Sequence, residues 1–172
     1  MAAEVDPRTH IGHVHLRVAD IERALDFYVG VLGFSLQQRM GEEAAFVSAG
    51  AYHHHIGLNT WQSRGGSPPP PGHTGLFHFA ILYPDRAALA DALRRLVAAG
   101  HPVTGASDHG VSEAIYLNDP DGNGIELYRD RPESEWPREA DGTVAMFSVP
   151  LDLNALLAEA PAPPSDGVQP VT

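Results

Sequence analysis

Residues 12–34 read GHVHLRVADIERALDFYVGVLGF, and residues 77–100 read FHFAILYPDRAALADALRRLVAAG. Set one above the other, each carries a histidine followed, after six residues, by an aspartate. His13 leads to Asp20 and His78 to Asp85, and both pairs are displaced by the same 65 residues. Behind each aspartate the apolar positions keep helical spacing: Ile21, Ala24, Leu25, Tyr28 and Leu32 in one copy, Leu89, Ala92, Leu93 and Leu96 in the other. Asp20 and Asp85 have the short acceptor side chain that caps a helix start, and Gly33 and Gly100 fall where each helix would end. The chain therefore contains an internal duplication, and one copy of the unit is the key to the fold.

Short strand-like segments follow each helix. The first half has FSLQQRM, AAFVSAG and HHHIGLNTW. The second has a weak one near Val103, then EAIYLND and GIELYRD joined by the turn DPDG. Each half reads as strand, helix, strand, strand, strand. These spans predict an α+β fold of paired βαβββ modules, residues 9–62 and 76–131, with a proline- and glycine-rich linker at 63–75. Residues 132–172 read as a C-terminal arm with a short helix capped near Asp152 and a disordered end, and Trp136 and Met146 are the side chains expected to pin the arm to the body.

Composition narrows the function. The 172 residues carry a formal charge of −11, and all eleven basic residues are arginines, scattered without a cluster. Such a surface repels nucleic acid and anionic membranes, so neither is an expected partner. There is no apolar run long enough to span a bilayer and no secretory leader pattern at the N-terminus, so a cytoplasmic location is expected. The absence of cysteine excludes disulfides and thiolate metal sites. Ten histidines stand out, because neutral imidazoles suit metal ligation and proton transfer near neutral pH.

Strand alternation sorts these side chains by face. Val14, Leu16 and Val18 turn toward the helix, which leaves His13, His15 and Arg17 on the opposite face. Phe77, Phe79 and Ile81 pack, leaving His78 and Ala80. Ile125 and Leu127 pack, leaving Glu126 and Tyr128; Ile115 and Leu117 pack, leaving Tyr116. In the run YHHHIGLNTW (52–61), His54, Ile56 and Leu58 take the core face, and His53, His55, Gly57 and Asn59 take the other. A simply solvated face would carry a mixture of Lys, Glu, Thr and Ser. This one carries histidines, a glutamate and tyrosines, which suits a lined cavity. Two histidines with one carboxylate and no cysteine are the ligand set of a non-haem Fe(II) site with open positions.

On the motifs GHVHLRVADIERALDFYVGVLGF, FHFAIL and YLNDPDGNGIELY, the chain resembles the vicinal oxygen chelate superfamily, which includes glyoxalase I, bleomycin-resistance proteins and extradiol dioxygenases. The likeness covers roughly residues 9–131 and is greatest to catechol-2,3-dioxygenase-like proteins. It implies paired modules whose sheets curve around a metal-bearing cavity, with His13, His78 and Glu126 as ligands of Fe(II), or alternatively Mn(II). His15 shares His13's face and stays open as the alternative ligand. Glyoxalase I adds a glutamate on the fourth strand, where this chain has Gly57, so the dioxygenase branch fits better.

That branch implies three catalytic residues. His55 takes a proton from a bound diol and later returns it, Tyr116 hydrogen-bonds a substrate oxygen, and His109, in the pair Asp108–His109, holds or protonates a distal oxygen. The implied substrates are a small aromatic diol and O2, and the implied activity is extradiol ring cleavage. The alternatives are a glyoxalase-type metal-dependent lyase or isomerase and a metal-free drug-binding protein. Many extradiol enzymes have four modules and this chain has two, so a lid is expected from the C-terminal arm or from a partner subunit in a homodimer or higher homo-oligomer. His53 and His54 read as structural, His10, His73 and His101 as solvated, and Asp20 and Asp85 as helix caps.

Overall fold

A computed structural model describes residues 4–162. The arm's expected disordered end, from 163 onward, lies outside the described residues. By internal contacts the chain divides into two units. One comprises the chain up to Phe79 plus Asn118–Ile125, the other Ala80–Leu117 plus the chain from Glu126.

The first unit is built on a four-stranded sheet of β1 (Val14–Arg17), β2 (Ser35–Met40), β3 (Ala44–Ser48) and β4 (Ile56–Asn59), in the order β1-β4-β3-β2. β1 and β4 run parallel, with Val14 opposite Ile56 and His15 opposite Gly57. β3 is antiparallel to both of its neighbours. The parallel pair requires a crossover, and the helix supplies it. Helix α1 (Ile21–Leu25) begins where Asp20 accepts a hydrogen bond from the Arg23 N–H at 2.9 Å.

A helix unbroken to Leu32 is expected from the spacing. Instead Asp26–Val31 widens into a π-helical turn, with the Leu32 N–H reaching back five residues to the Phe27 carbonyl at 2.9 Å. The extra residue per turn lets both Phe27 and Tyr28 reach the core, 3% and 0% exposed. Gly33 then takes φ 83°, which ends the turn at little steric cost. Leu16, Val18, Val47, Ile56 and Leu58 complete the core from the sheet.

Asn118–Ile125 belongs with this unit because its turn is tied to the helix. The buried Asp119 accepts from the Tyr28 hydroxyl at 2.9 Å and from the Asn123 backbone and side-chain N–H groups at 2.8 Å. Asp121 accepts from the Ala19 N–H at 3.0 Å and pairs with Arg23 at 2.5 Å.

The second sheet has the order β5-β8-β7-β6-β9, from β5 (Phe79–Leu82), β6 (Gly105–Asp108), β7 (Ser112–Asn118), β8 (Gly124–Asp130) and β9 (Val149–Pro150). Helix α2 (Arg86–Ala98) is capped by Asp85, which accepts from the Ala88 N–H at 2.8 Å. It buries Leu89, Ala92, Leu93 and Leu96, the face that the spacing predicts, and Ala90 beside them. Each fully buried leucine contributes about 1.5–3 kcal/mol. Helix α3 (Leu153–Leu157) is capped by Asp152 and buries Leu156. No helix among the described residues is long and apolar enough to cross a membrane.

Three features differ from expectation. Phe77 does not pack: it is 90% exposed, because β5 begins only at Phe79. Met146 is 69% exposed and pins nothing, whereas Trp136 does tie the arm, donating its indole N–H to the Arg131 carbonyl at 2.8 Å. The arm also forms β9, which pairs antiparallel with β6 through Ser107↔Pro150 and Asp108↔Val149. Two residues that include a proline give no periodic signal, so this strand was not legible in the sequence.

Candidate functional site

The open face of the first sheet gathers imidazoles. His15 sits above Gly57, where a Cβ would lie 3.0 Å from its ring, and is flanked by Phe46 and Trp61 with ring centroids at 5.9 and 5.6 Å. The space a fourth-strand carboxylate would need is therefore filled by an imidazole from the neighbouring strand. Burial, with the charge of His13 adding to it, holds the His15 pKa below the ordinary value.

His13 lies against His54 with ring centroids 4.5 Å apart. The alternation expected for 53–55 fails because β4 starts at Ile56. His54 accordingly stays out of the core, half-buried against His13 and Phe46, with its Nδ1 2.8 Å from that of His53. Its pKa is lowered by burial and then by His13, His53, His15 and His55 around it.

His55 is tied to the end of β3. Its Nδ1 lies 2.8 Å from the hydroxyl of Ser48, which is fully buried, and accepts the Ala49 N–H at 3.3 Å. Tyr52 stacks on the ring at 4.8 Å. Ser48 gave no signal in the sequence, where it reads as an ordinary strand-end serine. His10 and His73 are exposed, as expected of loop histidines.

In the second unit, three of the predicted residues form one hydrogen-bonded chain. His109 Nε2 lies 2.8 Å from the Tyr116 hydroxyl, which donates to Glu126 Oε1 at 3.0 Å. At the other end, His109 Nδ1 meets the Phe147 carbonyl at 3.0 Å, and the Phe147 N–H returns a bond to the His109 carbonyl at 3.3 Å. Burial, and then the hydrogen bond and charge of Glu126, push the Tyr116 phenol up to about 12. Tyr128 is raised as well, by burial and then by Asp130 and Glu126.

The second unit also holds an ion-pair cluster. The Glu113 carboxylate, 4% exposed, accepts from Arg86 at 2.8 Å, Arg129 at 2.9 Å and Arg131 at 3.1 Å. Arg131 also pairs with Asp108 at 2.7 Å, and Arg86 with Glu159 just beyond α3. The residue preceding His109 is thus fixed by the same cluster that pairs with Glu159 of the arm.

Of the three expected ligands, His13 and His78 fall in the first unit and Glu126 in the second. A side chain at Gly124 would strike the Phe77 carbonyl and the His78 backbone, so this glycine permits a close approach beside His78. Among the described residues, no three His, Asp or Glu side chains stand together as a ready metal cluster. The donor chemistry nevertheless fits a divalent iron: two imidazoles and a carboxylate, with Glu126 oriented by a phenol as ligating carboxylates commonly are.

A family model for the Glyoxalase/Bleomycin resistance protein/Dioxygenase superfamily matches residues 10–127. The chain belongs to this superfamily. Catechol-2,3-dioxygenase of Bacillus subtilis is 42% identical over 153 residues, 88% of this chain and 52% of its own length. Biphenyl-2,3-diol 1,2-dioxygenase 2 of Rhodococcus globerulus is 30% identical, over 69% of this chain and 61% of its own. The chain thus spans only about half to three fifths of the length of these relatives. Among solved structures, a glyoxalase/dioxygenase from Nostoc punctiforme superimposes with a TM-score of 0.61 at 19% identity, covering 77% of this chain and 99% of that one. Lactoylglutathione lyase from Agrobacterium tumefaciens does so with a TM-score of 0.56 at 24% identity, covering 72% and 96%. At those identities the likeness is one of fold, and the superfamily member is an α+β protein with two mixed sheets.

Proposed function

We propose that the chain is an Fe(II)-dependent extradiol dioxygenase that opens the ring of a catechol-like diol. The observation that carries the reading is the row His109–Tyr116–Glu126, three residues singled out from the sequence whose polar atoms come within hydrogen-bond distance of one another in one unit. It is supported by relatives that are named as dioxygenases of catechol and of biphenyl-2,3-diol.

In this reading His13, His78 and Glu126 hold the metal, and iron supplies the redox chemistry that joins diol and O2, with Mn(II) the alternative ion. The protein's own residues bind, orient and move protons. Tyr116, with its phenol pushed up to about 12, stays protonated at neutral pH and can donate to a diol oxygen. Tyr116 also orients the Glu126 carboxylate. His55 and His109 handle the protons of the diol and of the product. The substrate is a small aromatic diol.

A glyoxalase-type reading lacks support at Gly57, where His15 already occupies the room for the extra carboxylate. Oxygen consumption over a panel of catechols, with anaerobically restored Fe(II), tests the proposal. Uptake matched by a ring-opened product is the expected result. No uptake across the panel, together with turnover of a hemithioacetal, would replace it with a lyase or isomerase, and failure to retain any metal would leave a drug-binding protein.

A further inference from the structure

The two histidines assigned to proton handling meet opposite backbone groups. A backbone N–H can only donate, and a backbone carbonyl can only accept. His55 Nδ1 accepts the Ala49 N–H at 3.3 Å, which marks that nitrogen as bare; the Ser48 hydroxyl, 2.8 Å from it, has a proton to turn either to Nδ1 or to the Ala49 carbonyl at 3.3 Å. His109 Nδ1 faces the Phe147 carbonyl at 3.0 Å, so that nitrogen must carry a proton. In a neutral ring the partner of one nitrogen decides the state of the other.

We infer that the backbone presets His55 and His109 in opposite tautomers, so that His55 presents an N–H at Nε2 and His109 presents a lone pair there. In the dioxygenase reading His55 is then a hydrogen-bond donor toward a bound oxygen, and the bare Nε2 of His109 is an acceptor. The roles rest on the dioxygenase reading; the tautomers do not.

The arrangement gives the C-terminal arm a part in the chemistry. Tyr116 has one hydroxyl proton and two acceptors, His109 Nε2 at 2.8 Å and Glu126 Oε1 at 3.0 Å, and it can serve only one at a time. Phe147, by keeping Nε2 bare, is the positioning residue that keeps this choice open. The arm is held in place for it by β9 and by the Phe147 ring, which closes over Gly110; a Cβ there, at φ 77°, would lie 2.6 Å from that ring.

The test is a two-bond proton–nitrogen NMR correlation on the full chain, metal-free and labelled with 15N-histidine. It is run about two pH units above histidine's ordinary ~6.5, with His55→Gln and His109→Gln assigning the signals. The expected spectrum shows His55 protonated at Nε2 and His109 protonated at Nδ1, the latter against the Nε2–H preference of free histidine. Phe147→Gly, which removes the ring that seats the arm, should return His109 toward the Nε2–H form. An Nε2–H His109 or an Nδ1–H His55 in the parent protein overturns the inference, as does a His109 still wholly Nδ1–H in folded Phe147→Gly. Because the spectrum needs neither metal nor turnover, an inactive protein with both tautomers as stated would count against the dioxygenase reading alone.

Discussion

Replacing Glu113 with glutamine keeps the shape of the side chain and removes the negative charge at the centre of three guanidinium groups. Taking away one partner of a buried ion pair costs roughly 3–5 kcal/mol, because the charge left behind stays desolvated. Here two of the three arginines keep another carboxylate: Arg131 retains Asp108 at 2.7 Å and Arg86 retains Glu159. Only Arg129, 11% exposed, loses its carboxylate partner outright. The loss should therefore lie near the lower end, about 3 kcal/mol. For a chain of this size each kcal/mol moves the melting temperature by about 2–4 °C, so the midpoint should fall by about 6–12 °C. Differential scanning calorimetry reads it directly, and urea unfolding gives the same quantity from the midpoint with an unchanged slope. A fall of less than about 2 °C would mean that the three arginines are satisfied by solvent, and that the cluster does not anchor the arm as described.

Other perturbations test separate parts of the account. Tyr28→Phe removes a donor from the buried Asp119 carboxylate and should cost about 1.5–3 kcal/mol in urea unfolding, the range for hydrogen bonds to charged groups; a loss under about 0.5 kcal/mol would show that the turn at 119–123 is held without it. Gly57→Ala places a methyl 3.0 Å from the His15 ring and should cost about 1–3 kcal/mol, relieved when His15→Ala is combined with it; strictly additive losses would contradict the packing described. In alkaline titration followed by phenolate absorbance, the Tyr116 step, identified by its loss in Tyr116→Phe, should appear near 12 in the metal-free protein. The unfolded phenol ionises near ~10, so this group's contribution to stability is present below that pH and lost as pH rises from there toward 12; a step at the unfolded value would remove the assigned burial and Glu126 contact. His55→Gln should lower ring-opening kcat by ~10²–10⁴-fold with iron content unchanged, and a variant that loses iron instead would make His55 a ligand.

The duplication made the helices and the apolar faces readable. Asp20 and Asp85 cap as their positions predict, and the spaced leucines of α2 are the ones buried. What periodicity could not reach lies where regular structure stops. Phe77 and His54 lie just before β5 and β4 begin, and alternation has no force outside a strand. Phe27 is buried within a helix that widens to an i→i+5 turn, which leaves no mark in a 3.6-residue pattern.

In the candidate site, Tyr116 and Glu126 were legible because they lie on strands, where alternation puts both on the face away from the packed side chains, and the family resemblance supplied their roles. Ser48, Ala49 and Phe147 were not, because they act through a strand-end hydroxyl, a backbone N–H and a backbone carbonyl. Backbone groups are the same for almost every residue type, so no choice of side chain records their role.

The central claim is that two imidazoles and one carboxylate, drawn from both sequence repeats, bind a single iron. Iron analysis after anaerobic Fe(II) loading and desalting of untagged protein tests it most directly, with His78→Ala and Glu126→Ala treated in parallel. The account predicts close to one iron per chain in the parent protein and almost none in either variant, with both variants folded by circular dichroism. Iron that stays bound in folded His78→Ala or Glu126→Ala, or a parent protein that retains none, would contradict it.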